Sequence, residues 1–188
     1  MRRLRTDAAL VGSLTARSLL EAPAGVSLSG WVNPVLEPEV AVHMGSDLPP
    51  GAHMAAAQEA VSDLGPALEL ADVDPPPRDV EQILAGNIFQ RHVLVGPAES
   101  GVSPGILRGR ITGPGGGERV VDDPQATNGD LVGIVRHVAD LLGEFGETLR
   151  AGEIVICGSI VPPISVASGD AVSYRLDPLG ELSIRFES

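Results

Sequence analysis

Two acidic residues, Glu37 and Glu39, lie two positions apart in the segment Leu36-Glu37-Pro38-Glu39-Val40-Ala41-Val42-His43-Met44. In a strand, side chains alternate between faces, so Glu37, Glu39, Ala41 and His43 share one side while Val40, Val42 and Met44 share the other. Carboxylates so placed sit at chelating distance and repel each other unless a cation lies between them. The same pattern also serves a solvated strand face, because exposed glutamates are common. Glu69 adds a third carboxylate, within Pro66-Ala67-Leu68-Glu69-Leu70-Ala71. A half-buried carboxylate there needs a partner or stays protonated; a strand residue turned outward is the alternative. An oxygen-only triad suits Mg2+ or Mn2+ better than Zn2+ and leaves coordination positions for substrate oxygens.

Proton transfer needs a further group. His43 shares the acidic face and has an ordinary pKa near neutrality, about 6.5. Asp72 and Asp74, close to the third carboxylate, are the alternatives. His53 and His92 lack carboxylates at useful spacing, and His137 falls inside a helical stretch where a structural role is expected. Arg91 and Arg136 could pair with a substrate carboxylate, although surface ion pairs are the default for such residues. Cys157 lies in an apolar strand and reads as buried and inert. The Gly113–Gly117 stretch has neither the Lys-Ser/Thr nor the helix of a phosphate loop and reads as a hairpin turn.

The elements that must position these residues are β-rich. Segment 26–45 reads as extended and broken at Pro34. Ala52 to Leu64 is helical in composition and is ended by Gly65-Pro66, after which Ala67 to Leu70 forms a short strand. Residues 6–21 read as a short helix or an irregular packed segment. Asp74-Pro75-Pro76-Pro77 is a rigid connector into a helix from about Arg78 to Ala85. Strands follow at Phe89–Val95 and Ile106–Thr112. Asn128 or Asp130 caps an amphipathic helix over about 130–145, with Leu131, Ile134, Val135, Val138, Leu141 and Leu142 on its apolar stripe. Glu153–Ile160, Ala171–Leu176 and Leu182–Phe186 close the chain as strands.

Bulk composition narrows the partners. The 188 residues suffice for one domain with a real core, and 43% hydrophobic content excludes a disordered chain. All 13 basic residues are Arg and the net charge is −12. No basic stripe serves nucleic acid, and an anionic membrane surface would repel the chain. The absence of Lys excludes Schiff-base chemistry. An acidic protein that binds an anionic metabolite needs a local reversal of potential, which a bound divalent cation provides. One cysteine cannot form an intrachain disulfide, and no apolar run approaches the roughly 20 residues that span a bilayer. The basic start Met1-Arg2-Arg3-Leu4-Arg5 is interrupted by Asp7 and Gly12 and is not read as a signal peptide. A cytoplasmic location is expected.

The motif Leu36-Glu37-Pro38-Glu39-Val40-Ala41 resembles the Glu-x-Glu strand of the fumarylacetoacetate hydrolase superfamily, and most nearly its 2-keto-4-pentenoate hydratase and 4-oxalocrotonate decarboxylase branch. Ala67-Leu68-Glu69-Leu70-Ala71-Asp72 resembles the third-ligand motif of that branch, and the 30-residue interval from Glu39 to Glu69 fits as well. Gly152 to Ser159, Val166 to Asp170 and Gly180 to Phe186 resemble its closing strands. The resemblance covers about residues 14–188, with 1–13 as an N-terminal extension of a single catalytic-type unit. It implies a mixed α+β, β-rich roll with flanking helices, usually oligomeric, with Glu37, Glu39 and Glu69 as ligands of Mg2+ or Mn2+. It also implies that a small 2-oxo or dienoic acid is held as its enolate, and that Ser159 lies near that substrate.

Three departures stand against full transfer of that chemistry. The family's N-terminal Gly-Trp-Lys stretch is missing, so the chain reads as shortened there. The Asp-Ser-Arg after the third ligand reads Asp72-Val73-Asp74, and the usual Ala-Asp-Asn reads Ala85-Gly86-Asn87. The leading expectation is a lyase that hydrates, dehydrates or decarboxylates, or an isomerase or cyclase sharing the enolate. A non-catalytic partner subunit or ligand-binding member is the alternative, and an acidic structural subunit the third. A neighbouring copy in a homo-oligomer could supply the missing base.

Overall fold

The computed structural model describes residues 9–22, 24–74 and 79–188. In chain order its strands are β1 Leu19–Leu20, β2 Ala24–Ser27, β3 Pro34–Met44, β4 Val61–Asp72, β5 Gln90–Val95 and β6 Glu99–Ser100, followed by β7 Arg108–Thr112, β8 Glu118–Val121, β9 Ile154–Ile156, β10 Ile164–Ser165, β11 Ala171–Asp177 and β12 Gly180–Glu187. The helices are α1 Met54–Ala60, α2 Val80–Ala85, α3 Gln125–Asn128 and α4 Leu131–Glu144. The architecture is mixed and sheet-rich with flanking helices, as expected.

One sheet has the path β1-β5-β4-β3-β10, with β6 also on β4 and β9 also on β3; the other runs β2-β12-β11-β7-β8. Alternation explains how they pack. In β12, Leu182, Ile184 and Phe186 are buried between outward Glu181, Ser183 and Arg185. One continuous apolar core joins these residues and Tyr174 to Leu36, Val40, Val42, Leu68 and Leu70 of the first sheet. Helix α4 adds Leu131, Val135, Val138 and Ala139, and Asp130 caps it by accepting from the Gly133 N–H at 3.0 Å.

The antiparallel ribbon of β3 and β4 is the centre of the first sheet, with Glu37 opposite Glu69 and Glu39 opposite Ala67. Each strand carries an internal proline, and both have the same effect. The Pro38 carbonyl accepts from Ile160 N–H at 2.9 Å, so the Pro38 nitrogen, on the same edge, offers no donor to that side. The flanking ladder is split there: β9 ends at Ile156 and β10 begins at Ile164. Pro66 accepts from Gly96 N–H at 2.8 Å, and its flanking ladder is likewise split between β5 and β6.

Some boundaries differ from the sequence reading. The helix expected over Ala52–Leu64 ends at Ala60, and Val61–Leu64 belongs to β4, where Leu64 pairs with Val42 and Asp63 with His43. Tertiary pairing overrides local composition here. The strand expected to reach Ile160 stops at Ile156 for the reason just given. Residues 9–18 are an irregular packed segment. The Pro75–Pro77 connector, Arg78 and the basic start lie outside the described residues.

Candidate metal centre

The period-two alternation of β3 puts Glu37 and Glu39 on one face, and the β3–β4 register brings Glu69 directly across from Glu37. Ligand oxygens of the three carboxylates all lie within 4.8 Å of one another. Glu39 is 1% exposed, whereas Glu37 and Glu69 are half-buried. One Glu39 oxygen, Oε2, accepts from the Gly158 N–H at 2.7 Å. Like charges directly opposite on a ribbon are destabilising, and among the described residues no arginine ion-pairs with any of the three.

Burial, and for Glu39 and Glu69 the neighbouring carboxylates as well, raises all three above the ordinary carboxylate range. Glu69 is pushed up to about 7. Such a cluster needs protons, a cation or both to offset its charge. Bonds of about 2.1 Å to Mg2+ put opposite ligands about 4.2 Å apart, so the observed spacing fits one ion of that kind. Among the described residues the cluster has oxygen donors and no nitrogen or sulfur donor, which favours a hard cation.

Around the triad the same face is apolar. Ala41, Ala67 and Val93 are fully buried, and Leu14, Val95, Ile154 and Ile156 pack against them. Leu14 comes from the segment 9–18, which is pinned by Asn87: its Oδ1 accepts from Ser13 N–H at 2.7 Å and its Nδ2 donates to Ser13 O at 2.9 Å. Asn87, Ile88 and Phe89 have φ of 49°, 58° and 65°, a left-handed run that non-glycine residues seldom adopt. Neither the pin nor this cover was evident from sequence, since both depend on contacts 74 residues apart.

Ser159 follows Gly158, and its Oγ is buried without a hydrogen-bond partner. Asn128 does not cap α4; it donates from Nδ2 to the carbonyls of Gly158 and Ser159 at 2.6 and 3.0 Å. His43 shares the triad's face, four residues along β3 from Glu39, or about 13 Å at strand rise. Its Nε2 is buried without a partner; burial lowers its pKa, and Asp63 opposes that shift.

Asp72 is not in the cluster. Its Oδ1 accepts from the N–H groups of Val32 and Asn33 at 3.1 and 2.8 Å, and its Oδ2 pairs with Arg91 at 3.5 Å. This ties the turn before β3 to the end of β4. His53 caps α1 through Nδ1, and His92 stacks on Trp31 with ring centroids 6.0 Å apart. His137 Nε2 lies 3.0 Å from Ala9 O. Cys157 is buried, and its thiol is pushed far up by burial and by Glu39. The Gly113–Gly117 stretch is the turn between β7 and β8. Among the described residues no helix is long and apolar enough to cross a membrane.

No family model matches the chain. It is 28% identical to a 4-oxalocrotonate decarboxylase of Pseudomonas putida over 86% of its length and 63% of that protein's. It is 27% identical to a 2-hydroxyhexa-2,4-dienoate hydratase of Comamonas testosteroni over 93% and 69%. The chain thus spans about two thirds of the length of these relatives. Among solved structures, the 4-oxalocrotonate decarboxylase from Pseudomonas putida G7, complexed with magnesium and adipate, superposes with a TM-score of 0.85 at 26% identity. That match covers 93% of this chain and 68% of the other. A fumarylpyruvate hydrolase from Pseudomonas aeruginosa, in complex with Mn2+ and pyruvate, shares the fold with a TM-score of 0.76 at 20% identity, over 92% of this chain and 76% of that one. In sequence and fold the chain is thus similar to enzymes named as 4-oxalocrotonate decarboxylase and 2-hydroxyhexa-2,4-dienoate hydratase, and it shares its fold with a fumarylpyruvate hydrolase.

Proposed function

We propose that the chain is a metal-dependent lyase-type enzyme that hydrates, dehydrates or decarboxylates a small 2-oxo or dienoic acid. The observation that carries this reading is the convergence of Glu37, Glu39 and Glu69 on one point beside an apolar patch of the same face. Held by these three carboxylates, Mg2+ or Mn2+ would supply Lewis-acid stabilisation of the enolate charge on a chelating substrate. Glu39 keeps one oxygen on the Gly158 N–H, which leaves the other for a cation. Leu14, Ala41, Ala67 and Val93 exclude water from one side, which strengthens the electrostatics of the site. Ser159 Oγ, adjacent to Gly158 and unpartnered, is the candidate to meet a substrate oxygen. His43 is the acid/base candidate on the same face, and at about 13 Å from Glu39 it acts through water or on the far end of the substrate.

The same family reading in a non-catalytic form, as a partner subunit or ligand-binding protein, is favoured by two observations. The chain contains no lysine, and Asp72 is committed to backbone amides and Arg91. A second copy completing the site in a homo-oligomer reconciles the two. The deciding experiment follows ultraviolet absorbance of oxaloacetate and a panel of 2-hydroxydienoates with protein and Mg2+ or Mn2+. Turnover that disappears in Glu39→Gln supports the enzyme. Metal binding with no turnover of any panel member supports the non-catalytic form.

A further inference from the structure

The turn that presents Gly158 to Glu39 has its own scaffold. Gly158 has φ +84°, so its N–H faces the Glu39 carboxylate while its carbonyl faces Asn128. A β-carbon on Gly158 would lie 3.4 Å from the Asn128 amide, which shows how closely the two pack. Asn128 Nδ2 bridges the carbonyls of residues 158 and 159, and Thr127 Oγ1 donates to the next one, Ile160 O, at 3.4 Å. Asn128 is itself held in place. It ends α3, Gly129 with φ +89° turns the chain, and Gln125 Oε1 accepts from the Leu131 N–H at 3.2 Å. The Gly158 N–H belongs to the Cys157–Gly158 peptide, whose rotation would turn the Cys157 carbonyl toward Glu39; Asn128 grips the next two peptides by their carbonyls and so restrains that rotation.

We propose that Asn128 is a positioning residue of the metal centre. By holding the two carbonyls, it fixes the Gly158 N–H on Oε2 of Glu39 and so leaves Oε1 as the single oxygen directed to the cation. The inference rests on the metal reading of the triad and extends it to a residue 30 positions from the turn it holds. Asn128→Asp is nearly isosteric but sets an acceptor against two carbonyl oxygens; Asn128→Ala removes the donor without adding charge. Outer contacts that orient metal ligands typically change affinity by about 10–100-fold when removed.

The test titrates Mn2+ into the wild type, Asn128→Asp, Asn128→Ala and Asp130→Ala, following free Mn2+ by electron paramagnetic resonance. The Gly158 amide resonance is recorded in each metal-free protein. Asp130→Ala loses the α4 cap and is the control for general destabilisation. Expected are a loss of Mn2+ affinity of about tenfold or more in both Asn128 variants, an upfield move of the Gly158 amide proton, and affinity unchanged in Asp130→Ala. If Asn128→Asp does not fold, Asn128→Ala carries the test. Wild-type affinity in a folded Asn128→Ala, or an unmoved Gly158 resonance, overturns the inference and leaves the metal reading intact. An equal loss in Asp130→Ala also overturns it. A wild type that takes up no Mn2+ overturns the metal reading beneath it.

Discussion

The two faces of the β3–β4 ribbon share one backbone and have opposite characters. On one, Leu36, Val40, Val42, Leu64, Leu68 and Leu70 are buried in the core between the sheets. On the other, neighbours of those same residues bring three carboxylates together beside a small patch of Ala and Val. Separation by a single residue along the strand is enough for this, because strand side chains alternate. One face supplies the stability that the other face spends, and a slip of one residue in register would exchange them. The core is therefore a precondition of the site as well as its support.

Breaking the core face gives the largest effect. Leu68→Ala, in a fully buried position opposite Pro38, is expected to cost about 2–5 kcal/mol in chemical denaturation. Mn2+ affinity of the fraction that remains folded should change little. Equal losses of affinity and stability would show that the two faces are not separable.

Glu39→Gln sharpens the contrast from the other side. It keeps an acceptor for Gly158 N–H but removes a buried negative charge. Metal-free thermal stability should stay level or rise, while stabilisation by Mg2+, about 2.7 kcal/mol at a hundredfold excess over Kd, should vanish. Retained metal stabilisation would remove Glu39 from the ligand set.

The pH dependence has a definite sign. Glu69 rises from an ordinary 4.5 to about 7 in the fold, so the folded protein holds its proton more tightly than the unfolded chain. The metal-free protein is then most stable below about 4.5 with respect to this group and loses stability as pH rises to about 7. Added Mg2+ should reverse that loss above pH 7. Melting curves with and without Mg2+ that run parallel from pH 5 to 8 would contradict it.

Asp72→Asn gives the smallest effect of the four. The ion pair to a 56%-exposed Arg91 is worth little. Weakening the bonds to Val32 and Asn33 should cost about 1 kcal/mol, with Mn2+ affinity unchanged. A large affinity loss without unfolding would return Asp72 to the site.

The triad was legible in sequence because alternation is a local property and two short motifs carry all three carboxylates. What was not legible was register: nothing local says that residue 37 meets residue 69. The beginning of β4 was hidden by the helical composition before Gly65 and by Pro66, which reads as a breaker. Proline is tolerated there because its missing donor faces a split in the neighbouring ladder. Asn128 reads as a helix cap, since Asn before an amphipathic run does that work elsewhere. Its partners are carbonyls some 30 residues away, and only the fold brings them near.

The paired prolines also decide what can yield. Beside Pro38 the chain from Cys157 to Pro163 runs along β3 without a continuous ladder, so Gly158 and Ser159 are held by the side chains of Asn128 and Glu39 in place of strand pairing. The two carboxylate-bearing strands meanwhile remain locked to each other along their whole length. The site thus has a bed held by its ladder and a rim held by side chains, and amide exchange of the rim alone should quicken in Asn128→Ala.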